Sequence, residues 1–146
     1  MFGLDSVLSE AEAKQLNPIV LAFLGDAVYS LYVRERLIFS GAGKASEFQR
    51  AASKIVSAEG QSEFLNVIEP LLTESEAEIY KRGRNAKKAT KSKNASAAAY
   101  NRSTGFEALI GYLYVTGNKA RVDELLSHAD ETLFKAVKAA SAYKPH

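Results

Sequence analysis

Phe23-Leu24-Gly25-Asp26-Ala27-Val28 sets an acid and a glycine inside a run otherwise suited to burial. Around it Val20, Leu21, Phe23, Leu24, Ala27, Val28, Leu31 and Tyr32 recur at the period of a helix with an apolar face. Asn17-Pro18 supplies an N-cap and a first helical position, where proline gives up only an amide that the first turn cannot use. The spacing predicts one long helix from Asn17 to about Phe39, ended by Ser40-Gly41-Ala42-Gly43. Asp26 falls in its middle. A carboxylate buried there alone costs several kcal/mol or takes up a proton. Three fates remain open: exposure on a polar face, pairing with a cation, or binding a metal. The positions one turn away, Ala22, Phe23, Tyr29 and Ser30, carry no base, which favours the metal.

A second acid in the same situation lies downstream, in Phe106-Glu107-Ala108-Leu109-Ile110-Gly111-Tyr112-Leu113. Thr104 and Glu107 have capping-box spacing, so a helix beginning there makes Glu107 a cap. A helix beginning near Ala97 makes it interior instead. Two helices of the type apolar-acid-small-apolar, packed together at Gly25, Ala27, Ala108 and Gly111, bring two carboxylates to one hard-cation site. Mg²⁺ is held by one or two carboxylates with waters and substrate phosphates.

The remaining pattern is also helical. Ser9 and Glu12 are spaced as the capping box of a brief first helix. Lys44 to Ile68 carries Phe48, Ala51, Ala52, Ile55, Val56, Phe64, Leu65 and Ile68, with Gly60 as the point that divides it. Pro70 marks a boundary. Thr73 and Glu76 cap a helix through Ile79 and Tyr80 that stops at Gly83. Arg84 to Ser96 has no apolar period and reads as a long loop. A helix carrying Glu107 ends near Thr116-Gly117-Asn118. Ala120, Val122, Leu125 and Leu126 give another, and Ala129, Leu133, Phe134, Val137 and Ala140 a last one before a loose tail from Tyr143. The expectation is an all-α helical bundle, with residues 1–146 as a single domain.

The 146 residues, 47% hydrophobic and 25% charged, suit one globular core. There is no cysteine, which removes disulfides and thiolate metal sites and agrees with a cytoplasmic location. No stretch has the length of a signal peptide or membrane span, so no membrane partner is expected. His128 and His146 are far from either acid in sequence, which gives no support to a Ser-His-Asp or zinc arrangement. The net charge of +2 hides an uneven distribution. Lys81, Arg82, Arg84, Lys87, Lys88, Lys91, Lys93 and Arg102 follow one another with no acid between Ile79 and Phe106, on an otherwise acidic chain. Such a local patch binds anions. The plainer reading of the same residues is a solvated lysine-rich loop.

Phe-Leu-Gly-Asp-Ala-Val at 23–28 resembles the signature stretch of the ribonuclease III family, and Phe-Glu-Ala-Leu-Ile-Gly-Tyr-Leu at 106–113 resembles its second acidic motif. With the basic segment between them and no second domain, the layout from Asn17 to Gly117 is similar to the mini-ribonuclease III branch, which lacks a double-stranded-RNA-binding domain. The resemblance implies a ribonuclease III catalytic-domain-like bundle with Glu107 inside a helix. It also implies a Mg-dependent endoribonuclease that cleaves double-stranded RNA, with Asp26 and Glu107 as catalytic metal ligands. Gly83-Arg84-Asn85 resembles the start of the RNA-contacting loop, and the implied RNA-binding set is Arg82, Arg84, Asn85, Lys87, Lys88, Lys91, Lys93 and Arg102. A homodimer is implied, with Phe23, Leu24 and Tyr29 at its interface; an intramolecular core is the other place for these three. The implied substrate is the 23S ribosomal RNA precursor stem, selected by shape or with a ribosomal-protein helper.

The chain departs from larger relatives in its acids. Their signature has glutamates at the positions of Ile19 and Ala22 and an aspartate at that of Thr104, and a further acid maps near Ala45, with Glu47 two residues on. Fewer carboxylates mean fewer direct metal ligands. A second reading follows from these losses: a domain of this type that binds structured RNA or a ribosomal partner without cutting it.

Overall fold

In the computed structural model, which describes residues 6–40, 43–88 and 96–130, the helices begin at their capping signals. Ser9 and Glu12 each accept the other's backbone amide at 3.1 Å and start α1, Glu10–Gln15. The Asn17 side chain accepts the Ile19 amide at 2.9 Å, and Pro18 opens α2, Pro18–Phe39. Then come α3, Ala45–Val56, and α4, Ala58–Ile68, followed by a single 3₁₀ turn at Glu69–Leu71 that holds Pro70. Thr73 and Glu76 form the expected box at the start of α5, Glu74–Asn85. After it lie α6, Ala97–Val115, α7, Lys119–Leu126, and a 3₁₀ turn at Ser127–Ala129. Among the described residues there is no strand, and no helix is long and apolar enough to cross a membrane.

Helix α6 is the centre. From Ser103 to Leu113 every residue except Glu107 is buried, the mark of a helix enclosed on all sides. It lies against α2, α4 and α5. Where α2, α4 and α6 meet, Tyr29, Phe64 and Phe106 form a ring cluster. Tyr29 and Phe106 stand edge to face at 4.9 Å, and Phe64 joins both at 6.0 and 5.6 Å. Each such side chain contributes about 1.5–3 kcal/mol by leaving water. At the far end of α6, Gly117 takes the left-handed φ of 84°. This lets Asn118 donate to the Leu113 carbonyl and Gly117 to that of Tyr114, a Schellman closure. Helix α7 is pinned to the start of α5 by Arg121, which makes a two-point 2.9 Å contact with Glu76 and a third bond to the Leu71 carbonyl. The guanidinium holds the Glu76 carboxyl below its ordinary range.

Two sequence boundaries move. The Lys44–Ile68 stretch divides at Ser57, whose hydroxyl accepts the Gly60 amide and caps α4, and not at Gly60. Gly60 instead lies where a Cβ would strike the Lys54 and Ile55 carbonyls. Helix α5 runs past Gly83 to Asn85, because Gly83 is a packing position against α6 and not a stop. Arg84 and Asn85 are therefore helical, and the connection starts at Ala86. Of the expected last helix only Ala129 is described, and the tail from Tyr143 lies outside the described residues with it.

Candidate active site

Two glycines decide the site. Helices α2 and α6 cross at Gly25 and Gly111 with their backbones in contact. A Cβ on Gly25 would overlap the Glu107 carbonyl group and stand 2.9 Å from the Gly111 nitrogen. One on Gly111 would overlap the Leu21 carbonyl and stand 3.1 Å from the Gly25 nitrogen. Any larger residue at either place drives the helices apart. Asp26 follows Gly25, and Glu107 lies one turn before Gly111, so the same crossing lays the two carboxyl groups side by side. They are within hydrogen-bonding reach. Helix α6 starts at Ala97, so Glu107 is interior and the Thr104 capping alternative does not apply.

Asp26 is exposed and Glu107 is largely enclosed. Burial, reinforced by the hydrogen bond and negative charge of Asp26, pushes the Glu107 carboxyl up to about 9, against the opposing pull of the Gln61 amide. No Lys or Arg forms an ion pair with either acid among the described residues. Two adjacent carboxyl groups without a base are repulsive when both are charged, and a cation between them removes that repulsion. The donor set is all oxygen, which suits Mg²⁺.

No third acid or histidine joins them among the described residues. The Thr104 hydroxyl donates to the Tyr100 carbonyl within its own helix. Glu47 accepts the Lys44 amide at the start of α3. Gln61, which the sequence reading passed over, does reach the site. It is 3% exposed, and its amide reaches Glu107 while donating to the Val56 carbonyl at 2.9 Å. The signal for it was present: Gln61, Phe64, Leu65 and Ile68 follow the apolar i, i+3, i+4, i+7 stripe, and Gln61 is its one polar member.

The basic residues divide into groups. Helix α5 meets α6 at a second close crossing, where a Cβ on Gly83 would stand 2.8 Å from the Ala108 Cβ and 2.9 Å from the Gly105 Cα. Arg82, Arg84 and Asn85 thereby sit on the last turn of α5, beside the part of α6 that carries Glu107. Arg82, Asn85 and Lys87 are exposed, and the Arg84 guanidinium lies 5.6 Å from the centre of the Tyr80 ring. Lys88 and Arg102 have intramolecular work. The Lys88 ammonium donates to the Gly83, Arg84 and Ala86 carbonyls and caps α5. Arg102 donates to Ser62 and Asn66 at 2.8 and 2.7 Å and lies 3.7 Å from Glu69, tying α6 to α4. Lys91 and Lys93 lie outside the described residues.

The expected interface residues separate as well. Phe23 is 83% exposed, and Leu24 is half-buried against the core. Tyr29 is 1% exposed within the ring cluster and is a core residue, not a contact surface.

The chain is similar to several known proteins. A family model described as the Ribonuclease III domain matches residues 19–118. A Mini-ribonuclease 3 of Streptococcus pneumoniae is 49% identical over 114 residues, covering 77% of this chain and 89% of that protein. The Mini-ribonuclease 3 of Brevibacillus brevis is 48% identical over 113 residues, covering 77% and 84%. A crystal structure of a Fusobacterium nucleatum protein shares the fold, with a TM-score of 0.72 and 24% identity over 81% of this chain and 94% of its own.

Proposed function

The chain belongs to the ribonuclease III family, and from that premise we propose that it cuts double-stranded RNA as a divalent-metal-dependent endoribonuclease. The observation that carries this reading is the Asp26–Glu107 pair, two adjacent carboxyl groups at a glycine crossing with no cationic partner among the described residues. Asp26 and Glu107 would hold Mg²⁺. A bound Mg²⁺ supplies a more acidic water and neutralises charge on the phosphate of the scissile bond.

The chain's own residues do the rest. Exposed Asp26 faces the approaching phosphate, and enclosed Glu107 keeps its carboxyl in a fixed place against α4. Arg82, Arg84, Asn85 and Lys87 offer donors to the phosphate backbone near the acids. Contacts of this kind read duplex shape and carry little base information. For the finer assignment we take the 23S ribosomal RNA precursor stem as the cytoplasmic substrate and a ribosomal-protein helper as a partner. That part rests on the family resemblance. Exposed Phe23 with Leu24 supports a homodimer across α2, with residues 1–146 as one catalytic domain.

The test is incubation of a long RNA duplex with the protein, with Mg²⁺ or with chelator, beside Asp26→Asn and Glu107→Gln. Cutting is expected only with Mg²⁺ and is expected to fall about 1,000-fold or more in each variant, equivalent to losing several kcal/mol of charge stabilisation. Duplex binding without cutting in the unaltered protein would give the site to a silent RNA-binding domain.

A further inference from the structure

The Gln61 side chain is among the most enclosed polar groups of the fold, at 3% exposure. It comes from the first turn of α4, held there by the Ser57 cap and by its own bond from Nε2 to the Val56 carbonyl at 2.9 Å. Its amide stands against Glu107. The amide nitrogen has two hydrogens; one goes to the Val56 carbonyl, which leaves the second for the neighbouring Glu107 carboxyl. The amide oxygen is buried and has no hydrogen-bond partner. An orphaned buried acceptor costs about 1–3 kcal/mol, and this one belongs to the side chain beside Glu107, where no third Asp, Glu, His or Cys joins the acid pair among the described residues.

We infer that Gln61 is the third member of the cation site: its nitrogen fixes the Glu107 carboxylate, and its oxygen accepts a hydrogen bond from a water carried by the divalent cation. The inference rests on the reading of Asp26 and Glu107 as cation ligands. Mg²⁺ keeps several waters when it binds proteins, and those waters need acceptors. A glutamine suits this place better than a further acid. Its amide supplies a donor to Glu107 and an acceptor to water, without adding a third negative charge to an enclosed site.

Mn²⁺ titration of the metal-free full chain, followed by calorimetry and by the Mn²⁺ electron paramagnetic resonance signal, tests this without any cutting reaction. The unaltered protein is expected to bind, and Asp26→Asn to lose binding. Gln61→Leu is expected to weaken Mn²⁺ by about 10- to 100-fold, the usual effect of losing a group that orients a metal ligand, with an unchanged circular dichroism spectrum. Gln61→Glu, close to isosteric, is expected to tighten Mn²⁺, because a charged oxygen replaces a neutral one; it decides the matter if the leucine variant does not fold. Binding within twofold of the unaltered protein in Gln61→Leu, or in Gln61→Glu if only that variant folds, would overturn the role of Gln61 while Asp26→Asn still reports on the ligand pair. Absence of Mn²⁺ binding in the unaltered protein would overturn the cation reading itself, and this inference with it.

Discussion

Gly25 and Gly111 face each other where α2 crosses α6, each so close to the other helix that a single methyl group at either would overlap a backbone carbonyl. The contact sets both the spacing of the two longest helices and the separation of Asp26 from Glu107. Gly25→Ala and Gly111→Ala are expected to destabilise the chain by about 3 kcal/mol, the upper end of the overpacking range. Backbone atoms cannot rotate away as a side chain would. Urea unfolding measures the loss. Phosphodiester cutting should fall further than the folded fraction does, because the carboxyl groups separate even in molecules that fold.

Glu107 gives the metal-free protein a signature in pH. Its folded pKa of about 9 exceeds the ordinary value of 4.5, so the folded state binds the extra proton between the two. The burial penalty is absent below the lower value, grows as pH rises, and is complete above the upper one. Stability in chelator should therefore decline from about pH 5 to about pH 9, and Glu107→Gln should flatten that decline. Denaturation midpoints across the series would show it. An equal slope in the variant would assign the decline to other groups. Divalent cation should bind more tightly as pH rises, since it displaces the same proton.

Arg102 and Arg84 lie on neighbouring helices and should behave differently. Arg102 is committed to Ser62, Asn66 and Glu69, so Arg102→Ala should lower stability by about 1 kcal/mol and leave the salt dependence of duplex binding unchanged. Arg82→Ala and Arg84→Ala should barely change stability. Each should reduce the slope of log affinity against log salt by about one, the mark of a lost phosphate contact. A salt series with a labelled duplex separates the two behaviours.

Phe23, at 83% exposure, is the most exposed large apolar side chain among the described residues. Phe23→Asp should convert the proposed homodimer into monomers in sedimentation equilibrium and leave the circular dichroism spectrum unchanged, because little of the side chain is covered in its own fold. Tyr29→Ala, by contrast, should cost about 3–5 kcal/mol through the cavity it opens between Phe64 and Phe106.

The helices were legible because their ends are written locally. Ser9 with Glu12, Asn17 with Pro18 and Thr73 with Glu76 mark starts that depend on no distant partner. What distant packing decides was not legible. Gly83 reads as a stop in one dimension and is a contact with Ala108 in three. Tyr29 and Phe23 share an apolar run, and only the position of α6 shows that one is enclosed and the other bare. Asp26 and Glu107 declared themselves as acids in apolar company. Gln61 did not, since a single amide in an apolar stripe is commonly a satisfied core residue. Lys88 and Arg102 counted as free charge until the carbonyls and amides that hold them came into view.

The crossing of α5 and α6 at Gly83 and Gly105 also bears on how this scaffold tolerates change. The segment between these helices leaves from a turn capped by Lys88 and returns at Ser96, whose amide bonds to Glu59. Both anchors are set by contacts outside the segment. Its two described ends are therefore tied to α5 and to Glu59 of α4, and neither tie passes through Asp26 or Glu107. Substitutions at either anchor should thus be felt at the ends of α5 and α6 and not at the glycine crossing that sets the carboxyl pair.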